Sequence, residues 1–190
     1  MDGQVKRAAL IVEYQGTRYA GFQLQNGHPT IQGELEKALT HLTGQSIRIR
    51  GASRTDSGAH AKGQVVDFLT TTRHALENFV PALNYHLPED IKIRAAHWVD
   101  GEFNSRRSAL SRVYQYSILN RSAPSPLRRF SHLWIRDELD VEKMAEAAQL
   151  MVGVHDFRAI AVGHPKDRSA VREVMRWGVE RIDDSIVVEC

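Results

Sequence analysis

The chain has 190 residues, 42% of them hydrophobic and 25% charged, with a formal net charge of +2, a composition that suits a folded protein with one large core or two modest ones. No stretch reaches the roughly 18–20 uninterrupted apolar residues of a membrane span, and Met1-Asp2-Gly3-Gln4-Val5-Lys6-Arg7 lacks the apolar run of a signal peptide, so the expected place is the cytoplasm, with no membrane partner. The one cysteine, Cys190, can close no intrachain disulfide and supports no cysteine-based zinc site.

The β-branched apolar run Ala8-Ala9-Leu10-Ile11-Val12-Glu13-Tyr14 ends in the turn-like Gln15-Gly16-Thr17 and predicts a central strand. Thr30 is a suitable N-cap, and Ile31, Leu35, Ala38, Leu39 and Leu42 follow at helical spacing until Gly44, which predicts an amphipathic helix. Residues 47–51 and 64–69 read as strands with a glycine-containing connection between them. Residues 76–83 predict a second helix, with Pro81 near its end, and residues 91–99 another strand. The order strand, helix, strand, strand, helix, strand is the split βαβ or ferredoxin-like unit, an α+β arrangement with an antiparallel sheet backed by helices. It occupies residues 1–102.

Residues 103–190 begin the series again. A strand is predicted over 113–119, a helix over 141–152 opened by Asp140 and closed by Gly153, and strands over 171–181 and 185–189 about the turn Asp183-Asp184. As a duplicate of the first half, the second lacks its last helix and strand, which points to a shortened chain or to a partner that supplies them. Ser122-Ala123-Pro124-Ser125-Pro126 and Gly163-His164-Pro165-Lys166-Asp167 read as loops.

Arginine outnumbers lysine and gathers at Arg48, Arg50 and Arg54, at Arg106, Arg107 and Arg112, and at Arg121, Arg128 and Arg129. Guanidinium forks suit phosphate oxygens, although solvated charged faces would give the same pattern. The most unusual segment is Gly51-Ala52-Ser53-Arg54-Thr55-Asp56-Ser57-Gly58-Ala59-His60-Ala61, which sets an arginine, a carboxylate and an imidazole among small residues between two strands. Two readings of Asp56 stand side by side. In an extended backbone Arg54 and Asp56 project to one side, so the guanidinium could keep the carboxylate ionised as a nucleophile or base. Alternatively, Asp56 accepts turn hydrogen bonds from Ser57 and Gly58.

The segment from Gly51 to His60 resembles the catalytic signature of the TruA family of tRNA pseudouridine synthases, with Asp56 in the place of the nucleophile. Further matches follow in the same order. They are Tyr14-Gln15-Gly16-Thr17-Arg18-Tyr19-Ala20-Gly21-Phe22-Gln23, Thr30-Ile31-Gln32-Gly33-Glu34-Leu35-Glu36 and Leu83-Asn84-Tyr85-His86-Leu87-Pro88-Glu89-Asp90-Ile91. Phe103-Asn104-Ser105-Arg106-Arg107-Ser108-Ala109-Leu110-Ser111-Arg112-Val113-Tyr114-Gln115-Tyr116 is similar to the second catalytic motif, and Gly153-Val154-His155-Asp156-Phe157 and Val171-Arg172 to later landmarks.

The resemblance implies an isomerase that breaks the bond from ribose to N1 of a uridine in the anticodon stem-loop of tRNA, turns the base and rejoins it through C5. It implies no cofactor and no metal, a homodimer, and a flipped base. Asp56 is then the essential carboxylate, whether it adds to the sugar, adds to the base or assists a glycal route. Tyr114 packs against uracil and accepts the C5 proton directly or through water, unless it is a buried strand tyrosine. Arg54 pairs with Asp56 or guides a phosphate, His60 and Gln23 lie on the substrate side, and Arg106 and Arg112 touch the RNA backbone. Family members continue past a segment like Ser185-Ile186-Val187-Val188-Glu189-Cys190 into a helix whose arginine reaches the aspartate, so the chain of this length is expected to be weakly active or inactive. Two rivals are weaker. A non-catalytic RNA-binding module would need RNP-type aromatics that residues 10–12 and 65–68 lack, and a metal-dependent hydrolase would need paired ligand spacing that the nine histidines lack.

Overall fold

The computed structural model describes residues 4–161 and 169–190; the loop read at Gly163-His164-Pro165-Lys166-Asp167 lies outside the described residues. The chain divides into two compact units, Met1–Leu110 and Ser111–Cys190. The fold class is α+β.

The first unit runs β1 (Lys6–Tyr14), α1 (Ile31–Thr43), β2 (Arg50–Gly51), β3 (Ala61–Thr70), α2 (Phe79–His86) and β4 (Ile91–Val99). Its sheet is antiparallel in the order β2-β3-β1-β4. The period-two pattern of β1 sends Ala8, Leu10, Val12 and Tyr14 to one face, where they join Val66 and Phe68 of β3 and Ile91 and Ile93 of β4 in the buried core. Ile31, Leu35, Ala38 and Leu39 of α1 and Phe79 and Leu83 of α2 pack against that core. Burial of each such large side chain contributes about 1.5–3 kcal/mol.

The ends of α1 follow the sequence signals. The Thr30 side chain accepts from the Gly33 N–H, and Gly44 takes the left-handed conformation at φ 70°. Elsewhere the structure shifts the predicted limits. Of residues 47–51 only Arg50 and Gly51 join the sheet, because the Ile49 N–H donates to Glu36 Oε1 of α1 at 3.1 Å instead of entering a strand ladder. The predicted helix over 76–83 begins as a 3-10 turn, Leu76–Asn78, and α2 then continues to His86. Pro81 does not stop it, since it lies in the first turn, where the missing N–H has no partner to lose.

The second unit runs β5 (Gln115–Asn120), β6 (Leu133–Ile135), α3 (Val141–Gln149), β7 (Gly153–Asp156), β8 (Val171–Val174), β9 (Gly178–Ile182) and β10 (Ser185–Glu189). Strands β6 and β7 are additions to the series read from the sequence. One sheet has the order β6-β5-β10-β9, and β7 pairs with β8 in another. The first of these is mixed, because β6 runs parallel to β5 and residues 121–132 supply the crossover of about a dozen residues that parallel strands require. The single strand predicted over 171–181 is two strands in different sheets. The break falls at Met175-Arg176-Trp177, where Gln149 Nε2 donates to the Trp177 carbonyl. Asp140 caps α3 by accepting from Lys143 N–H, and the helix ends at Gln149 rather than at 152.

Residues 103–110 belong with the first unit, although the sequence placed the division at 102/103. The buried Asp67 carboxylate of β3 holds them there, as described next.

Candidate active site

After Gly51 pairs with Val66 the chain leaves the sheet, and hydrogen bonds at Ser53, Thr55 and residues 56–60 hold its path to Ala61. The Gln64 amide takes Ser53 from both sides, accepting from its N–H at 3.2 Å and donating to its carbonyl at 2.7 Å. Thr55 is held twice, through its carbonyl by the Phe22 N–H at 3.0 Å and through Oγ1 by the Tyr14 hydroxyl at 2.8 Å. Ser57 Oγ and the Gly58 N–H both donate to the Tyr19 carbonyl, and the Ala59 N–H closes the turn on the Asp56 carbonyl. The His60 ring accepts at Nδ1 from the Gly16 N–H at 2.9 Å.

The seat for this segment is therefore the Tyr14 to Gln23 stretch, and two of its glycines are required by close approach. A Cβ on Gly16 would stand 1.9 Å from the Ala59 carbonyl oxygen. Gly21 has φ +97°, and a Cβ there would stand 2.7 Å from the Thr55 carbonyl oxygen. The seat is rigid. Burial pushes the Tyr14 hydroxyl above its ordinary value, an effect its hydrogen bonds with Thr55 and Gln64 offset only in part. Burial, then the hydrogen bond to Asp90, pushes Tyr19 up to about 12. Both hydroxyls stay protonated at neutral pH and serve as pins.

Asp56 itself is exposed, on the wall of an open cleft of about 450 Å³ lined by Ala20, Gln23, Gln25, His28, Arg54, Thr55, Asp56 and Ser57. Neither sequence reading of its carboxylate describes what is seen. Among the described residues it forms no ion pair with Arg54 and accepts no turn hydrogen bond. The chain turns at Asp56 rather than continuing extended, so Arg54 and Asp56 share a cleft without an ion pair, and the Ser57 hydroxyl and the Gly58 N–H are already taken by the Tyr19 carbonyl. The result is a pinned backbone that presents a carboxylate without a partner among the described residues, with Arg54 lining the same cavity.

Gln23 joins this cleft; Gln25 and His28 join it too, and no sequence signal marks them. His60 is a loop anchor through Nδ1. Arg106 is exposed on the turn at 103–108, which the sheet grips through Asp67. That carboxylate is 1% exposed and accepts from Arg50 Nε at 3.0 Å and Nη2 at 2.6 Å, from Arg7 Nη1 at 2.7 Å and from the Ser105 N–H at 2.9 Å. Arg50 also donates to the Phe103 carbonyl, and Ser105 Oγ to the Arg50 carbonyl. Arg112 and Tyr114 belong to the second unit. Tyr114 extends the β5–β10 ladder by one pair, exchanging N–H···O bonds with Cys190 at 2.8 and 3.0 Å, and its side chain is exposed rather than buried in a strand. Among the described residues no three His, Cys, Asp or Glu side chains gather as metal ligands.

Residues 10–105 match the family model described as tRNA pseudouridine synthase. Three relatives, each called tRNA pseudouridine synthase A, show the extent of the similarity. The protein of Methylococcus capsulatus is 39% identical over 96% of this chain and 68% of its own length. That of Acetivibrio thermocellus is 38% identical over 97% of this chain and 76% of its own, and that of Roseiflexus castenholzii 44% identical over 88% and 62%. The matched span contains both the pinned segment around Asp56 and the Tyr14 to Gln23 stretch on which it sits, and with these similarities the chain belongs to the tRNA pseudouridine synthase family.

Proposed function

We propose that this chain isomerises uridine to pseudouridine in the anticodon stem-loop of tRNA, with Asp56 as the essential carboxylate. The observation that carries the reading is an acidic group without a partner among the described residues, standing in an open cleft on a backbone held by hydrogen bonds to Tyr14, Gly16, Tyr19, Phe22 and Gln64. The buried carboxylate of the same unit, Asp67, has four donors. Asp56 instead faces an open cleft on a pinned backbone, where an incoming nucleotide can reach it.

The cleft suits one extruded nucleotide. Extrusion costs a few kcal/mol, which phosphate contacts and stacking offset. Arg54, having no carboxylate to neutralise it, takes the phosphate of the flipped nucleotide, and Gln23 presents an amide to the base. The reaction breaks the N1 to C1′ bond and forms C5 to C1′; the C5 proton leaves for a base and N1 takes up a proton, so nothing is oxidised and no group is imported. Tyr114 receives that proton directly or through water, a role its exposed ring and its place in the second motif support. Arg106 and Arg112 contact the RNA backbone, and the protein acts in the cytoplasm as a homodimer. The strand order β2-β3-β1-β4 with two helices over one face supports a ferredoxin-like reading of the first unit.

Asp56→Ala is expected to abolish tritium release from C5-labelled uridine in tRNA while leaving tRNA affinity within a factor of about three. Release at the parent rate from this variant would overturn the assignment of Asp56.

A further inference from the structure

The second unit carries a concave basic surface that the reaction above leaves unused. Residues 121–136 contain Arg121, Arg128, Arg129 and Arg136 and no Asp or Glu. Crossing from β5 to β6, they close a cavity of about 330 Å³ whose lining includes Leu119, Arg128, Arg129, His132 and Trp134. Asp184, in the turn between β9 and β10, reaches this loop and is shared by two guanidinia, accepting from Arg121 Nη1 at 2.9 Å and from Arg128 Nη1. Arg128 Nη1 also donates to Ser185 Oγ at 2.8 Å. One carboxylate between two cations leaves the cavity positive.

Arg129 adds to that charge. Among the described residues it has no ion pair, and its guanidinium lies 4.2 Å over the exposed Phe130 ring, which fixes its direction. The Trp134 indole N–H donates to the Arg121 carbonyl at 3.0 Å, holding the ring by its edge while 43% of the residue stays exposed. Burial, then the nearby Arg128 charge, holds His132 below its ordinary value, so its ring is neutral at pH 7 and the positive charge belongs to the arginines.

We propose that this cavity is a second RNA contact, in which Arg129 and the unspent charge of Arg128 take a backbone phosphate of tRNA and Trp134 stacks on an unpaired base. The inference rests on the tRNA reading of the preceding subsection. A planar fork of donors matches a phosphate, and an aromatic face fixed beside it is the combination by which proteins hold unpaired nucleotides. A merely solvated arginine face would have no cavity and no oriented ring.

The test is equilibrium binding of an unmodified tRNA transcript over a salt series, using the 190-residue chain. Arg129→Gln is expected to weaken binding about three- to ten-fold and to reduce the slope of log affinity against log salt by about one. Trp134→Ala is expected to weaken binding about ten-fold with the slope unchanged. Arg129 is exposed, so its variant should fold as the parent does, which circular dichroism checks. Parental affinity and slope in Arg129→Gln overturn the inference, including the case in which the surface receives an acidic protein segment instead. If the parent chain releases tritium while that variant binds normally, only this inference fails; if the parent binds no tRNA, both readings fail.

Discussion

Four donors converge on the Asp67 carboxylate, and their sum outweighs its burial. Burial by itself would raise the carboxyl, but hydrogen bonds from Arg50, Ser105 and Arg7 hold it below the ordinary carboxylate value. A group depressed in the folded state contributes stability that is present above its unfolded value, about 3.9, and is lost as pH falls through the lower folded value. Asp67→Asn is therefore expected to cost about 3 kcal/mol near neutral pH, toward the low end for a buried pair because the Arg50 side chain is 40% exposed. Urea unfolding between about pH 3 and pH 7 should show the parent converging on the variant at the acid end. A constant gap across that range would contradict this account. The consequence reaches the site, since Arg50 precedes Gly51 and the same carboxylate fastens the turn that carries Arg106. Asp56 is the opposite case, a carboxylate that the fold leaves alone.

Among the elements, α1 is the one in which propensity, capping and packing agree. Thr30 caps it, Gly44 ends it, and Leu35, 1% exposed, sits in the core that backs the sheet. Thr30→Ala should lower stability by about 1 kcal/mol, and Leu35→Ala by about 2–5 kcal/mol, both read from denaturant midpoints at constant slope. An effect of Thr30→Ala as large as that of Leu35→Ala would mean that the cap does more than satisfy one N–H. The short strands behave differently. β2, β6 and β7 have two, three and four residues, too few for a period-two pattern to stand out, and each exists because a neighbouring strand offers a free edge. The division of residues 171–181 into β8 and β9 has the same origin. Either piece would continue the other by composition, but they pair with β7 and β10 respectively.

At the scale of the whole molecule the chain is two units joined through an exposed stretch. Residues 106–114 contain no regular element, and Leu110 is 95% exposed. Limited trypsin digestion is expected to cut first at Arg107 or Arg112, giving fragments that correspond to the two units on a denaturing gel. First cleavage within α1 or β3 would show that the division lies elsewhere. The family, the α+β class, the first helix with both its ends and the residues of the pinned segment were legible in the sequence by itself. They depend on local rules of capping and alternation, and on motifs contiguous in the chain. What the tertiary structure decided was every relation between distant residues. It left Arg54 and Asp56 in one cleft without an ion pair, turned His60 into an anchor for Gly16, moved residues 103–110 into the first unit and gathered Gln25 and His28 into the cleft. Spacing along an extended chain tells which side chains could meet. Whether they do depends on which donors and acceptors are already taken by partners 40 or more residues away, as with Tyr14 on Thr55, and only the folded chain determines that.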